Sequence, residues 1–414
     1  MARTSGVESV PHPERVGHPG IAGHLTIQIQ VNSPLDAPGG GAVHARGLAR
    51  ALRQMGVNVS VLCTGWSGDC DNGELGTIIA RRPTNLPLLW RWPPLGTLPF
   101  WVRTVREHSA GVDVFVALSA EMAVASHLAR PHLPVVYCPA ALSGCEYPTP
   151  RPTSSQRCEQ RAFRGASAIL YPAEATRDAV ERLYGPLPGR SAVCPLGVEG
   201  SYRAVHADVR DSTGIPLDAF VLLTVGTINQ NKGQLAIAQV LANTAPVNWW
   251  WVVVGDGPHR AALETQLRGT SLAARTILAG NCTDVGDWYA AADVLVSASR
   301  CETFSLVCAE ALAAGLPVVL PANRLGSTLS PLAELVAAHQ LGRTFERERP
   351  ETLGRALADI AADADERARM GARARELART HFSWDRYADR VLEMAGGSRC
   401  AGSVTGVASG ARDS

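Results

Sequence analysis

The chain reads as an α/β protein built of two doubly wound, Rossmann-like domains that face each other across a cleft. Three observations predict this. Short β-rich apolar runs alternate with helical patterns along most of the chain, the order expected of parallel sheets with crossover helices. The alternation pauses near residue 200 and then starts again. A length of 414 residues with 46% hydrophobic content also exceeds the ~250 to 300 residues that a single core usually serves.

The first cycle opens with the strand LTIQIQV (25–31), a glycine-rich loop, and a helix on which Ala45, Leu48, Leu52 and Met55 recur at three and four residues. VNVSVLC (57–63) completes a parallel βαβ unit, and VDVFVAL (112–118), PVVYC (134–138) and ASAILY (166–171) extend the sheet. After the loop CPLGVEGSYRAVHADVRDSTGIP come AFVLLTV (219–225), NWWWVVV (248–254), ARTILA (274–279), DVLVSA (293–298) and LPVVL (316–320). From about residue 351 the chain turns helical and charge-rich, and SWDRYADRVLEMAGG (383–397) is a last amphipathic helix stopped by glycines. The expected organisation is a disordered start (1–22), a first Rossmann-like domain (23–200) and a second Rossmann-like domain (201–383). A helix (384–397) that can cross back to the first domain and a disordered tail (398–414) complete it.

A formal charge of +1, with both signs spread along the chain, excludes the footprint of a nucleic-acid binder. No apolar run reaches the ~18 residues of a membrane span, and the first 24 residues carry no signal-peptide core. The expectation is a soluble, cytoplasmic protein. Ten cysteines without a CxxC pair read as reduced, buried thiols, and no metal-ligand spacing stands out, so no metal is expected. One interval breaks the rhythm: RRPTNLPLLWRWPPLGTLPFWVRTVR (81–106) is rich in proline, tryptophan and arginine. It reads either as an insertion with its own small core or as an amphipathic lip over the acceptor or a membrane; its prolines disfavour membrane contact.

Three stretches carry chemistry. In CETFSLVCAEALAAGLPVV, Glu302 precedes a helix beginning near Ser305, with Leu306, Ala309, Leu312 and Ala313 on one face, and Glu310 lies more than one turn inside it. Unpaired N–H groups and the positive end of the dipole suit that helix start to a diphosphate. The two carboxylates could then hold hydroxyl groups on either side; an exposed Glu beside a salt-bridged one is the plain alternative. In VGTINQNKGQ, Gly226 and Thr227 follow a strand and Lys232 brings a point charge to the cleft mouth. Gly39, Gly40 and Gly41 let a ligand approach the backbone at the first helix, but the pattern is not GxGxxG and no acid ends the second strand, which disfavours a nicotinamide dinucleotide.

Together these stretches resemble the retaining GT-B glycosyltransferases of family 4 (glycosyl transferases group 1) over roughly residues 25–395. Glu302, Phe304, Glu310, Ala311, Gly315, Pro317 and Val318 match that family's E-x7-E pattern, with Ser305 where glycine is usual, and VVVGDGP and CPLGVEGSY are similar to further segments. The resemblance implies that Glu310 holds the donor ribose, Glu302 faces the donor sugar and Lys232 meets the phosphates. It further implies that the backbone of Phe304, Ser305, Leu306 and Val307 lines sugar and diphosphate, and that the base lies near Asn281 and Cys282. The implied reaction is metal-independent transfer of a hexose or N-acetylhexosamine from a nucleotide diphosphate sugar to a small hydroxyl acceptor, with no other cofactor. Two departures stand out: Thr227 where an arginine is common, and Pro139-Ala140 where a histidine contacts the sugar in many members. His44, His127 and His132 are not at that place and read as surface or helix histidines. The alternatives are a sugar-nucleotide epimerase of the same fold and a non-catalytic nucleotide-sugar-binding partner of another transferase.

Overall fold

The structure, a computed structural model, describes residues 25–67, 73–83, 96–143, 152–199, 206–282, 285–324 and 326–396. Both expected disordered ends lie outside these residues, as does 84–95 of the proline- and tryptophan-rich interval.

The first sheet contains β1 (Thr26–Gln30), β2 (Asn58–Cys63), β3 (Thr77–Ala80), β4 (Val114–Ala117), β5 (Val135–Tyr137), β6 (Ala168–Tyr171) and β7 (Arg190–Val193). Its order is β3-β2-β1-β4-β5-β6-β7, parallel throughout. The second contains β8 (Phe220–Val225), β9 (Trp249–Val254), β10 (Thr276–Gly280), β11 (Val294–Val296), β12 (Val318–Pro321) and β13 (Gly342–Phe345). They run β10-β9-β8-β11-β12-β13, again all parallel. Each order reverses beside the domain's first strand, between β1 and β4 and between β8 and β11. In open sheets of this kind the carboxyl ends at that reversal form the ligand crevice.

Two doubly wound domains are thus present. β3, β7 and β13 add to the strands expected from sequence, and all three lie at sheet edges. One apolar cluster is continuous across both domains, from Ile27 and Leu48 through Tyr387 and Val391 to Phe304 and Leu312. The last helix, Trp384–Gly396, explains that continuity: it buries Tyr387, Ala388, Val391, Met394 and Ala395 and packs on the Gly40–Gln54 helix and on β5 and β6. Trp384 fills space that only glycine leaves, since a Cβ on Gly47 would lie 2.1 Å from its ring and one on Gly197 2.4 Å.

Two expectations are corrected. Residues 96–106 are neither an insertion with a separate core nor a lip: they enter the Leu98–Glu107 helix, whose Trp101 is fully buried with Phe115, Met122 and Phe163 in the first domain's core. The helix after Glu302, Leu306–Ala314, buries Cys308, Ala309, Ala311 and Leu312, whereas Leu306 and Ala313 are only half-buried. The apolar face is rotated from the one predicted, and Leu306 faces the other domain, where a Cβ on Gly40 would touch its Cδ1 at 3.6 Å. The seven described cysteines are free thiols, six of them buried.

Candidate active site

The carboxyl end of β11 leads into the loop that carries Glu302. Its position is set by Asn231, whose amide donates to the Cys301 carbonyl at 2.9 Å and accepts from the Cys301 N–H at 3.1 Å. The Asn231 carbonyl also accepts from the Arg300 N–H at 2.8 Å. Asn231 therefore clips the loop after β8 to the loop after β11, and its neighbour Lys232 lands on Glu302, Nζ to Oε1 2.6 Å. The pair is partly buried, at 28% and 17% side-chain exposure, so water screens it less than a surface pair. A lysine has three donor hydrogens and can serve a second anion while holding Glu302.

Ser305 follows, with φ 75° and ψ 72°. This left-handed conformation is costly for a residue with a Cβ, whereas glycine adopts it freely. No side chain caps the Leu306–Ala314 helix, so its first N–H groups stay open to an anion. Glu310, inside the helix, accepts from Tyr289 Oη at 2.8 Å. Burial pushes its carboxyl up to about 7, against the lowering effect of that hydrogen bond. The glycine loops at the ends of β8 and β9 interlock: Gly255 has φ 129°, and a Cβ there would lie 2.2 Å from the Gly226 carbonyl oxygen.

The first domain supplies the facing wall, where Gly39 and Gly40 meet Cys138, Pro139 and Ala140. Thr303 joins the two walls, its hydroxyl donating to the Ala140 carbonyl at 2.9 Å while its own carbonyl accepts from Thr176 Oγ1 at 2.5 Å. His44 also lines this cavity. Its Nε2 lies 3.0 Å from Tyr387 Oη, its Nδ1 is buried without a partner, and burial holds the imidazole down at about 3, so it is neutral.

One interdomain cavity thus gathers Gly39, Gly40, Gly226, Thr227, Lys232, Asn281, Cys282, Glu302, Phe304, Ser305, Leu306 and Val307. Gly41 and Glu310 do not line it. Gly41 packs toward Val31 and Ser33, and Glu310 lies behind the helix start, on Tyr289. Phe304 contributes its backbone, since its ring is buried edge-on against Phe382 at 5.6 Å. His127 and His132 are exposed. His44 is a helix residue but not a surface one, and it shares a four-residue spacing with Leu48 and Leu52, a signal that could have placed it on the buried face. Asn231, Tyr289, Thr303 and Tyr387 carry no sequence pattern of their own. Among the described residues no cluster of His, Cys, Asp or Glu could hold a metal ion.

Two adjacent segments of the chain match known families: residues 38–201 match Glycosyltransferase Family 4 and residues 206–377 match Glycosyl transferases group 1. The chain belongs to these GT-B glycosyltransferases. Among curated relatives, the D-inositol 3-phosphate glycosyltransferase of Thermomonospora curvata is 32% identical over 273 residues, 61% of this chain and 62% of the relative. That of Corynebacterium urealyticum is 29% identical over 263 residues, 59% of each. The chain therefore spans about three fifths of the length of the curated relatives it matches. Solved structures with the same fold include sucrose-phosphate synthase from Thermosynechococcus elongatus, with TM-score 0.78 at 20% identity over 91% of this chain and all of that one. Anabaena HepE in complex with UDP and glucose gives TM-score 0.73 at 19% identity over 90% of this chain and all of that one.

Proposed function

We propose that the protein is a retaining glycosyltransferase that moves a hexose or N-acetylhexosamine from a nucleotide diphosphate sugar, most simply a UDP-sugar, to a hydroxyl acceptor without a metal. The observation that carries this reading is the Lys232–Glu302 pair set beside an uncapped helix start within a cleft between two Rossmann-like domains. In this reading the diphosphate rests on the N–H groups of Leu306 and Val307, and Lys232 adds positive charge where negative charge grows as the bond from the anomeric carbon to phosphate oxygen breaks. The acceptor oxygen forms its bond to the same face of that carbon, and its proton passes to the departing phosphate. Glu302, fixed by Lys232, accepts from sugar hydroxyls.

The names of the curated relatives and the UDP and glucose held by Anabaena HepE support a sugar-nucleotide donor. The test is nucleotide release from UDP-, GDP-, dTDP- and ADP-sugars with chelator present, together with the anomeric form of the freed sugar. Selective, chelator-insensitive release with retained configuration is the expected result. Release with inversion overturns the same-face mechanism, recovery of an epimerised sugar nucleotide favours the epimerase, and absence of binding overturns the donor site.

A further inference from the structure

The Ala120–Ala129 helix of the first domain is recessed: residues 121–126 are all buried, and it packs on both the Leu98–Glu107 and the Ser154–Gly165 helices. Over it lies a cavity of about 720 Å³ that shares no residue with the interdomain one. Buried Ala123 and Val124 line its base, with Leu98 and Leu128 beside them, and Leu128 is left 49% exposed. Arg157, Arg161 and Arg164 of the Ser154–Gly165 helix, all exposed, also line it, and no Asp or Glu does.

The three arginines follow one another at four and three residues, so they share one helix face over about 10 Å. Like charges at these spacings oppose the helix that carries them. Exposed Arg103, Arg369 and Arg379, on other helices, are each answered by an acid three or four positions away, Glu107, Glu366 and Glu376. In the Ser154–Gly165 helix the one acid, Glu159, is turned inward, where it accepts from the Ser143 N–H and the Tyr184 hydroxyl. Among the described residues the guanidinium groups of Arg157, Arg161 and Arg164 have neither an ion-pair nor a hydrogen-bond partner. A face built only for water gains nothing from mutually repelling charges set around a half-exposed leucine.

The geometry points to a second binding site here, for an amphiphilic organic anion whose phosphate or carboxylate groups meet Arg157, Arg161 and Arg164 while its apolar body lies on Val124 and Leu128. The volume falls within the ~300–1,000 Å³ of pockets that take small molecules. A guanidinium offers an oxyanion two parallel donors, which suits these groups better than a point charge would. The site stands independently of the transferase reading, since neither Lys232 nor Glu302 belongs to it.

The test is calorimetric binding of 1-naphthyl phosphate to the full chain, beside its two halves, 1-naphthol and inorganic phosphate. The whole probe is expected to bind at least tenfold more tightly than either half. Arg161→Ala and Arg164→Ala, which alter exposed side chains, are each expected to weaken it about tenfold, the effect of losing one charge-assisted hydrogen bond, with melting temperature preserved. Lys232→Ala, in the interdomain cavity, is expected to leave the affinity unchanged. Equal binding of inorganic phosphate means an adventitious ion only and overturns the proposal, as does equal binding of 1-naphthol. Unchanged affinity in both arginine variants, or a loss in Lys232→Ala instead, assigns the probe to another place and overturns it too. Absence of probe binding also overturns it, and sedimentation with phosphatidylglycerol vesicles in that case would make the face a membrane contact.

Discussion

The two walls of the cleft are built differently. The second domain's wall is charged and locally strained: a lysine on a glutamate, a serine in a left-handed conformation and an uncapped helix. The first domain's wall is neutral where it faces the cavity, with Gly39, Gly40, Pro139, Ala140 and an uncharged His44. The difference teaches that one wall comes prepared for a fixed anionic group and the other is shaped for a variable partner. That division agrees with where the family patterns fall, since the charged residues lie in the segment matched to Glycosyl transferases group 1.

The sharpest way to break this contrast is Lys232→Ala. If the charged wall stabilises a leaving diphosphate, kcat falls about a hundred- to a thousandfold, as on losing one preorganised electrostatic donor. An unchanged rate in the nucleotide-release assay would leave the contrast without chemical meaning.

Glu310→Gln comes next, read through pH. The folded-state carboxyl titrates near 7 against the ordinary 4.5. Between those values the unfolded chain has lost its proton while the folded chain retains it. Stability contributed by this group is therefore full below the unfolded value, falls as pH rises toward 7, and levels off above. The loss amounts to about 3 kcal/mol. Urea denaturation at pH 4.5 and pH 8 is expected to show a decline in the wild type that is smaller in Glu310→Gln, and identical profiles would refute it.

Gly47→Ala tests the seam between the walls. A Cβ there collides with Trp384, so the last helix must shift, at a cost of about 1–3 kcal/mol. Denaturation midpoints read the loss directly. Ser305→Gly has the smallest expected effect, a gain of about 0.5–1 kcal/mol from relief of the left-handed conformation. A loss of stability would mean that the serine hydroxyl contributes more than the backbone strain costs.

How far the chain could be read follows the same contrast. Strands buried on both faces, such as AFVLLTV and NWWWVVV, announce themselves as apolar runs. β3 and β7 lie at sheet edges with no fully buried residue, and β13 begins and ends buried with two half-buried residues between. Their short mixed sequences carry no period. In the site, Glu302 and Glu310 stood out because charge in an apolar stretch is conspicuous, and Lys232 because it ends a glycine-framed polar loop after a strand. Partners distant in sequence could not be read: Lys232 meets Glu302 across 70 positions only because Asn231 joins two loops. His44 and Tyr387 meet across 343 positions only because the last helix returns to the first domain.

Thr303 is the residue next to Glu302, and it is hydrogen-bonded to the opposite domain at both its hydroxyl and its carbonyl. The loop that holds the cleft's principal carboxylate is therefore also its clasp. Any hinge motion wide enough to release a bound nucleotide must undo both bonds and loosen the loop beside Glu302 in the same movement. Two such bonds, each worth about 0.5–1.5 kcal/mol, tie the opening of the cleft to movement of that loop.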